Sequence, residues 1–271
     1  MIPYISWHTI AIGPLTVQVW GLFVAAGFAL GTLVAAHEAR KRGLKPGIVL
    51  DIAPLLLLAA MIGGRLFHVF IYDPSYYFAN PLEIPMIWKG GASIFGGFLG
   101  ALVAALWYMR KKQVDVWKYA DVLVFGLPFG KAIGRLGCFF IHDHPGTATD
   151  FIIGVKYPDG EVRHDHGLYL AINGALMAIV FMVMARKPRA DGFYIGLFCA
   201  WYGVVRFFLD FYRVADARYL GLTPAQYLCI VMTIFGIAVL VWITKRQKKP
   251  VSVNSEASVA PELPESTSKV S

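Results

Sequence analysis

The stretch Ile52-Ala53-Pro54-Leu55-Leu56-Leu57-Leu58-Ala59-Ala60-Met61-Ile62-Gly63-Gly64-Arg65 decides the fold. Thirteen residues pass without a charge before Arg65, and the wider run 48–71 holds only Asp51 and Arg65 among Asp, Glu, Lys and Arg. A helix crossing the hydrocarbon core, about 30 Å thick, needs roughly 20 mostly apolar residues, and this run supplies them. Six more runs of the same kind lie near 16–36, 91–109, 119–137, 168–185, 191–211 and 225–243. The run at 119–137 is the weakest, because it holds Asp121, Pro128, Lys131 and Arg135. Small residues recur inside the runs, as in Gly96-Gly97-Phe98-Leu99-Gly100, and permit close helix contact in lipid. With 57% hydrophobic and 15% charged residues, the chain has too little charge to cover a soluble domain. The expected fold class is all-α: a polytopic membrane protein with about seven transmembrane helices and a small extracytoplasmic cap.

The net charge of +8 invites a polyanion partner, but the placement of the charges excludes nucleic acid. Arg40, Lys41, Arg42 and Lys45 follow the first run, and Arg110, Lys111, Lys112 and Lys118 follow the third. Arg186, Lys187 and Arg189 follow the fifth, and Lys245, Arg246, Lys248 and Lys249 the seventh. Basic clusters at alternate helix ends mark cytoplasmic loops. The first 19 residues contain neither Lys nor Arg, so the N-terminus is expected outside and the C-terminus in the cytoplasm. No positive n-region precedes the first run, which reads as a retained helix. Cys138, Cys199 and Cys229 are too few and too scattered for a disulfide framework.

One domain is expected over 1–249, with outward segments at 72–90, 138–167 and 212–224. Residues 72–90 mix Tyr72, Tyr76, Tyr77, Phe78 and Trp88 with three prolines, the composition of an interfacial segment. Residues 138–167 read as the outer cap loop, and the Ser-, Pro- and Glu-rich tail 250–271 as a disordered cytoplasmic segment. No Gly-rich phosphate loop and no CxxC pair is present, and no cofactor is expected.

Charges inside spans cost about 2.5–3.5 kcal/mol each at a helix centre. Asp51 and Asp121 sit near boundaries and read as solvated, while Arg206 and Asp210 share a helix face as a self-satisfying pair. Arg65, Lys131, Arg135 and Arg206 lie toward the outer ends of helices running outward. Snorkelling explains any one of them, but four cations from three helices favour a shared anion site. A lipid phosphate is the simplest anion there, since guanidinium grips phosphate bidentately. His142-Asp143-His144 and His164-Asp165-His166 repeat one tripeptide in the cap. Its residues suit zinc or acid–base work, or are simply exposed and polar. Alternate residues of an extended chain point apart, so no metal site is expected.

Gly134-Arg135-Leu136-Gly137-Cys138-Phe139-Phe140-Ile141-His142-Asp143-His144-Pro145-Gly146 resembles the signature of the bacterial prolipoprotein diacylglyceryl transferase family, G-R-x-G-N-F-x-N-x-E-x-x-G. The resemblance runs nearly end to end: Ile12-Gly13-Pro14 with Trp20-Gly21-Leu22, Gly63-Gly64-Arg65-Leu66, and Trp88-Lys89-Gly90-Gly91-Ala92-Ser93-Ile94-Phe95-Gly96-Gly97. It continues through Arg163-His164 with Leu168-Tyr169, then Tyr202-Gly203, Arg206-Phe207 and Asp210-Phe211-Tyr212-Arg213, to Gly221-Leu222-Thr223-Pro224-Ala225-Gln226. Four positions depart from the family pattern. Phe95 stands for His, Cys138 for Asn, Asp143 for Glu and Trp20 for Tyr.

The resemblance implies transfer of the diacylglyceryl group of phosphatidylglycerol to the lipobox cysteine of a prolipoprotein, in the outer leaflet of the bacterial inner membrane. It implies catalytic roles for Arg135 and Arg206, with His142 or Asp143 replacing the base lost at Phe95. Substrate contacts are implied at Arg65, Arg135, Arg206, Asp210, Arg213, Gly137 and Gly146. A relative using another phospholipid or acceptor, and a non-catalytic lipid-binding relative, are the alternatives.

Overall fold

The structure is a computed structural model, and it describes residues 1–13, 15–87, 90–143, 145–214 and 218–247. Pro14, Trp88, Lys89, His144 and the tail 250–271 lie outside the described residues. Among the described residues seven long helices form the body: α1 (Val19–Lys41), α2 (Pro46–Phe67), α4 (Ile94–Lys111), α5 (Val116–Ile141), α6 (His166–Met184), α7 (Phe193–Leu209) and α8 (Pro224–Gln247), with the short α3 (Pro74–Ala79) between α2 and α4. All but α4 of the seven are long and apolar enough to cross a membrane. The 18-residue α4 ends on Arg110 and Lys111, yet it runs antiparallel beside α2. Ser93 N donates to the Gly64 carbonyl at one end, and Tyr108 OH to Asp51 at the other. It therefore traverses the same depth, and the basic clusters after α1, α4, α6 and α8 all fall on one side.

On the opposite side the cap is a small sheet. Strands β1 (Ile2–Pro3), β4 (Pro145–Ala148), β5 (Val155–Lys156) and β6 (Val162–Asp165) pair in the order β1-β5-β6-β4, with β1 parallel to β5 and the other pairs antiparallel. Pro158-Asp159-Gly160 turns β5 into β6, and Gly160 takes the left-handed φ of +87° that such a turn needs. A hairpin of β2 (Thr9–Ile12) and β3 (Leu15–Gln18) leads into α1. The cap is narrower than the expected 138–167. Helix α5 persists to Ile141 because Phe140 packs on Trp7 and Phe23, with ring centroids 5.5 and 5.3 Å apart.

Two devices align the helices that carry the site. Along α1 and α5 the backbones almost touch: a Cβ on Gly130 would stand 2.6 Å from the Gly27 carbonyl oxygen. Packing of small residues drives helix association in lipid, where no hydrophobic force separates helices from solvent. On the basic side, Asp121 is fully buried rather than solvated as the sequence suggests. Arg42 pairs with it at 2.9 Å and Ile195 N donates to it at 3.0 Å, so the end of α1 and the start of α7 supply what water would have.

Candidate functional site at the cap ends of α5 and α7

Helices α5 and α7 run in the same direction, since Asp121 meets Ile195 near their starts and Lys131 meets Tyr202 further along. Lys131 Nζ stands 3.2 Å above the Tyr202 ring. Arg135 and Arg206 each follow one turn later, about 5.4 Å toward the cap, on the faces that carry Lys131 and Tyr202. The charges of both arginines act on Lys131. Lys131, Arg135 and Arg206 thus lie on adjoining turns of α5 and α7. A cavity of about 460 Å³ opens between α1, α2, α5 and α7, with Lys131, Arg135, Thr32 and Tyr202 in an otherwise apolar wall.

Arg206 is held by two side chains, one just past the end of α7 and one at the start of α6. Its Nη2 pairs with Asp210 Oδ1 at 2.9 Å, and its Nη1 donates to His166 Nδ1 at 3.3 Å. The opposite ring nitrogen, Nε2, lies 2.6 Å from the Leu209 carbonyl and therefore carries the proton, which leaves Nδ1 as the acceptor. Asp210 is fully buried, takes the Thr223 hydroxyl, and has Arg213 Nη1 at 3.8 Å. Thr223-Pro224-Ala225-Gln226 is a capping box that starts α8: Gln226 N donates to Thr223 Oγ1 at 3.2 Å, and Thr223 N to Gln226 Oε1 at 2.9 Å. Gln226 Nε2 also donates to the Phe207 carbonyl, which docks this cap on the end of α7.

Arg65 stands apart. Its guanidinium donates to the carbonyls of Glu83, Ile84, Gly90 and Gly91, and its charge lies 5.0 Å from the centre of the Tyr77 ring. It clamps segment 83–91 to α2 and does not line the cavity beside Arg135. Just before that segment Phe78 and Leu82 are exposed, in keeping with an interfacial position. The two signature glycines are close-approach points. A Cβ on Gly137 would meet Phe23 Cβ at 2.8 Å, and one on Gly146 the Tyr212 carbonyl oxygen at 2.8 Å. Gly146 also pairs in a β-bridge with Arg213.

The repeated tripeptides come apart and share one cross-link. His142 Nδ1 meets Asp165 Oδ2 at 2.8 Å, while Nε2 meets the Ile5 carbonyl at 3.2 Å. His142 is buried and stacks on Tyr4 at 4.1 Å. Both ring nitrogens are engaged, so His142 ties the N-terminus to the cap and has no nitrogen left to accept a substrate proton. His164 instead meets the Tyr169 hydroxyl at 2.7 Å, where burial lowers its pKa from the ordinary value. Among the described residues no three His, Cys, Asp or Glu side chains gather as a metal site. Asp143 is exposed at the end of α5, near enough for its charge to act on the Cys138 thiol. Cys138 accepts a long contact of 3.8 Å from Arg135 Nη1, and all three cysteines are free. Phe95, on the first turn of α4, has no group that can take a proton.

Among the described residues, seven packed helices, six of them long and apolar enough to cross a membrane, with a small sheet at one end, make the fold that of a multi-pass membrane protein. Residues 8–242 match the family described as prolipoprotein diacylglyceryl transferase. A phosphatidylglycerol--prolipoprotein diacylglyceryl transferase of Nitrosomonas europaea is 36% identical over 252 residues, covering 89% of this chain and 91% of the relative. Proteins of the same name from Janthinobacterium sp. (strain Marseille) and Geobacter sulfurreducens are 38% and 31% identical, over 89% and 92% of this chain and 96% and 99% of theirs. This chain belongs to the prolipoprotein diacylglyceryl transferase family.

Proposed function

We propose that this protein transfers the diacylglyceryl group of phosphatidylglycerol to the lipobox cysteine thiol of a prolipoprotein, with its cap on the outer face of the bacterial inner membrane. The names of its relatives support the reaction, and the basic loops opposite the cap support the orientation. The observation that carries the site assignment is the Lys131–Tyr202 contact, which sets Arg135 and Arg206 at one depth on adjoining helices.

The chemistry is a displacement at the glyceryl carbon. The cysteine sulfur bonds to that carbon, the C–O bond to phosphate breaks, and its electron pair leaves with glycerol phosphate. The thiolate is the nucleophile, and Asp143 is the proton acceptor, because His142 is committed to Asp165 and Ile5. The phosphate passes from one negative charge to two as it departs. Fixed cations stabilise that growing charge at no reorganisation cost. Arg135 and Arg206 act on the phosphate, Asp210 and His166 hold Arg206 in place, and Arg213 and Gly146 close the cap over it.

The test is rescue of a bacterial host depleted of its own transferase. The full chain should restore growth, and Arg135→Ala and Arg206→Ala should abolish the rescue while still inserting. Failure of the intact, inserted protein to rescue would overturn the reading.

A further inference from the structure

Lys131 stands outside the arginine pair, and among the described residues it forms no ion pair. Its ammonium is buried, and among the described residues it has no hydrogen-bond partner. The charges that act on it, Arg135 and Arg206, have the same sign. An ammonium held so is costly unless a counter-ion arrives. The Tyr202 face, 3.2 Å from Nζ, offers a cation–π contact but accepts none of its three N–H bonds. Lys131 also lines, together with Arg135, the cavity of about 460 Å³, so its buried ammonium lies beside a space that a ligand could enter.

The arithmetic of charge makes the same point. Lys131, Arg135 and Arg206 are joined by Arg213, and Asp210, the carboxylate that pairs with Arg206 and Arg213, offsets one of these four charges. More than one positive charge is left over. A phosphodiester carries one negative charge, whereas a phosphate monoester near neutral pH approaches two. We infer that Lys131 binds a phosphate oxygen as the third cation of the site, and that the site is matched to the doubly charged leaving group rather than to the singly charged lipid. The inference rests on the proposed transfer reaction and adds a catalytic residue to it. The C–O bond that breaks and the electron pair that leaves are those of the displacement above, and Lys131 takes no proton in it.

The experiment uses the full chain in detergent micelles containing phosphatidylglycerol, with a lipobox peptide as acceptor, and compares Lys131→Met and Lys131→Arg with the parent. Methionine keeps the length and removes the charge. Lys131→Met should melt at a higher temperature than the parent without ligand, because an uncompensated buried charge is gone. It should lower kcat about 100-fold and weaken inhibition by glycerol phosphate about 10-fold, with a smaller change in KM for phosphatidylglycerol. Lys131→Arg should recover most of the loss. A Lys131→Met protein that melts lower than the parent, yet binds glycerol phosphate equally well, would make Lys131 a packing residue and overturn the inference. Thermal stabilisation by glycerol phosphate, measured without peptide, separates the two layers of the argument. If the parent binds it through Lys131 but transfers nothing, the anion site stands and the reaction assignment falls.

Discussion

Asp210 organises the guanidiniums at the cap end of α7, and it does so from a site with no access to water. Its carboxylate faces Arg206, Arg213 and the Thr223 hydroxyl. Thr223→Val keeps the shape but removes one partner, and an unsatisfied buried acceptor costs about 1–3 kcal/mol. The expected result is a lower melting temperature together with a higher KM for phosphatidylglycerol, as Arg206 loses its fixed position. The Arg206–Asp210 pair was legible from its four-residue spacing. The link to Thr223 was not, because it depends on the start of α8 docking on the end of α7, although the Thr-x-x-Gln capping pattern was there to be read. The two candidate bases separate in the same way. Asp143→Asn should reduce kcat about 100-fold or more with little change in stability. His142→Ala should instead lower the melting temperature, because it strips Asp165 and Ile5 of a buried partner. Equal activity of Asp143→Asn and the parent would remove Asp143 from the proton path. His164 adds a pH dependence. Burial lowers its folded pKa, so below the ordinary value of about 6.5 the unfolded chain binds the proton more readily. Stability should therefore fall as pH drops through that window, and a pH series of melting temperatures should be flatter for His164→Gln.

Helices α1 and α5 meet through glycines, and that seam places Lys131 and Arg135 at the cavity. Gly130→Leu would drive a side chain into the Gly27 carbonyl, and overpacking of this kind typically costs about 1–3 kcal/mol. Both the melting temperature and transfer activity should fall, because the helix that carries two of the cations must shift. Asp121→Ala attacks the other end of α5. It leaves Arg42 without one of its two carboxylates and Ile195 N without its acceptor, a loss of about 3–5 kcal/mol for a broken buried pair. The spans were legible because twenty apolar residues admit few other readings. The cap sheet was missed, although Val155-Lys156-Tyr157 and Val162-Arg163-His164 flank Pro158-Asp159-Gly160, a hairpin pattern. Strands two to four residues long carry too little alternation to stand out, and β1 joins from the far end of the chain. Asp121 was misplaced for a related reason, since a carboxylate at a helix boundary gives no sign that a distant arginine will cover it.

Across the whole molecule, the parallel course of α5 and α7 brings two local spacings to one end of the bundle. Lys131 with Arg135, and Tyr202 with Arg206, are separate pairs in the sequence and become neighbours only when the helices pack. Arg65 shows the limit of reasoning from depth alone. It sits at the cap end of α2, but its donors are taken by the carbonyls of 83–91, and it anchors the interfacial segment instead. The central claim is that Arg135 and Arg206 act on one anion. A double-mutant cycle on glycerol phosphate inhibition, using the parent, Arg135→Gln, Arg206→Gln and the double variant, tests it most directly. Two groups on one ligand should show a coupling of about 0.5–3 kcal/mol, so that the double variant loses less than the sum of the single losses. Strictly additive losses, or a single variant that binds glycerol phosphate as well as the parent, would contradict the account.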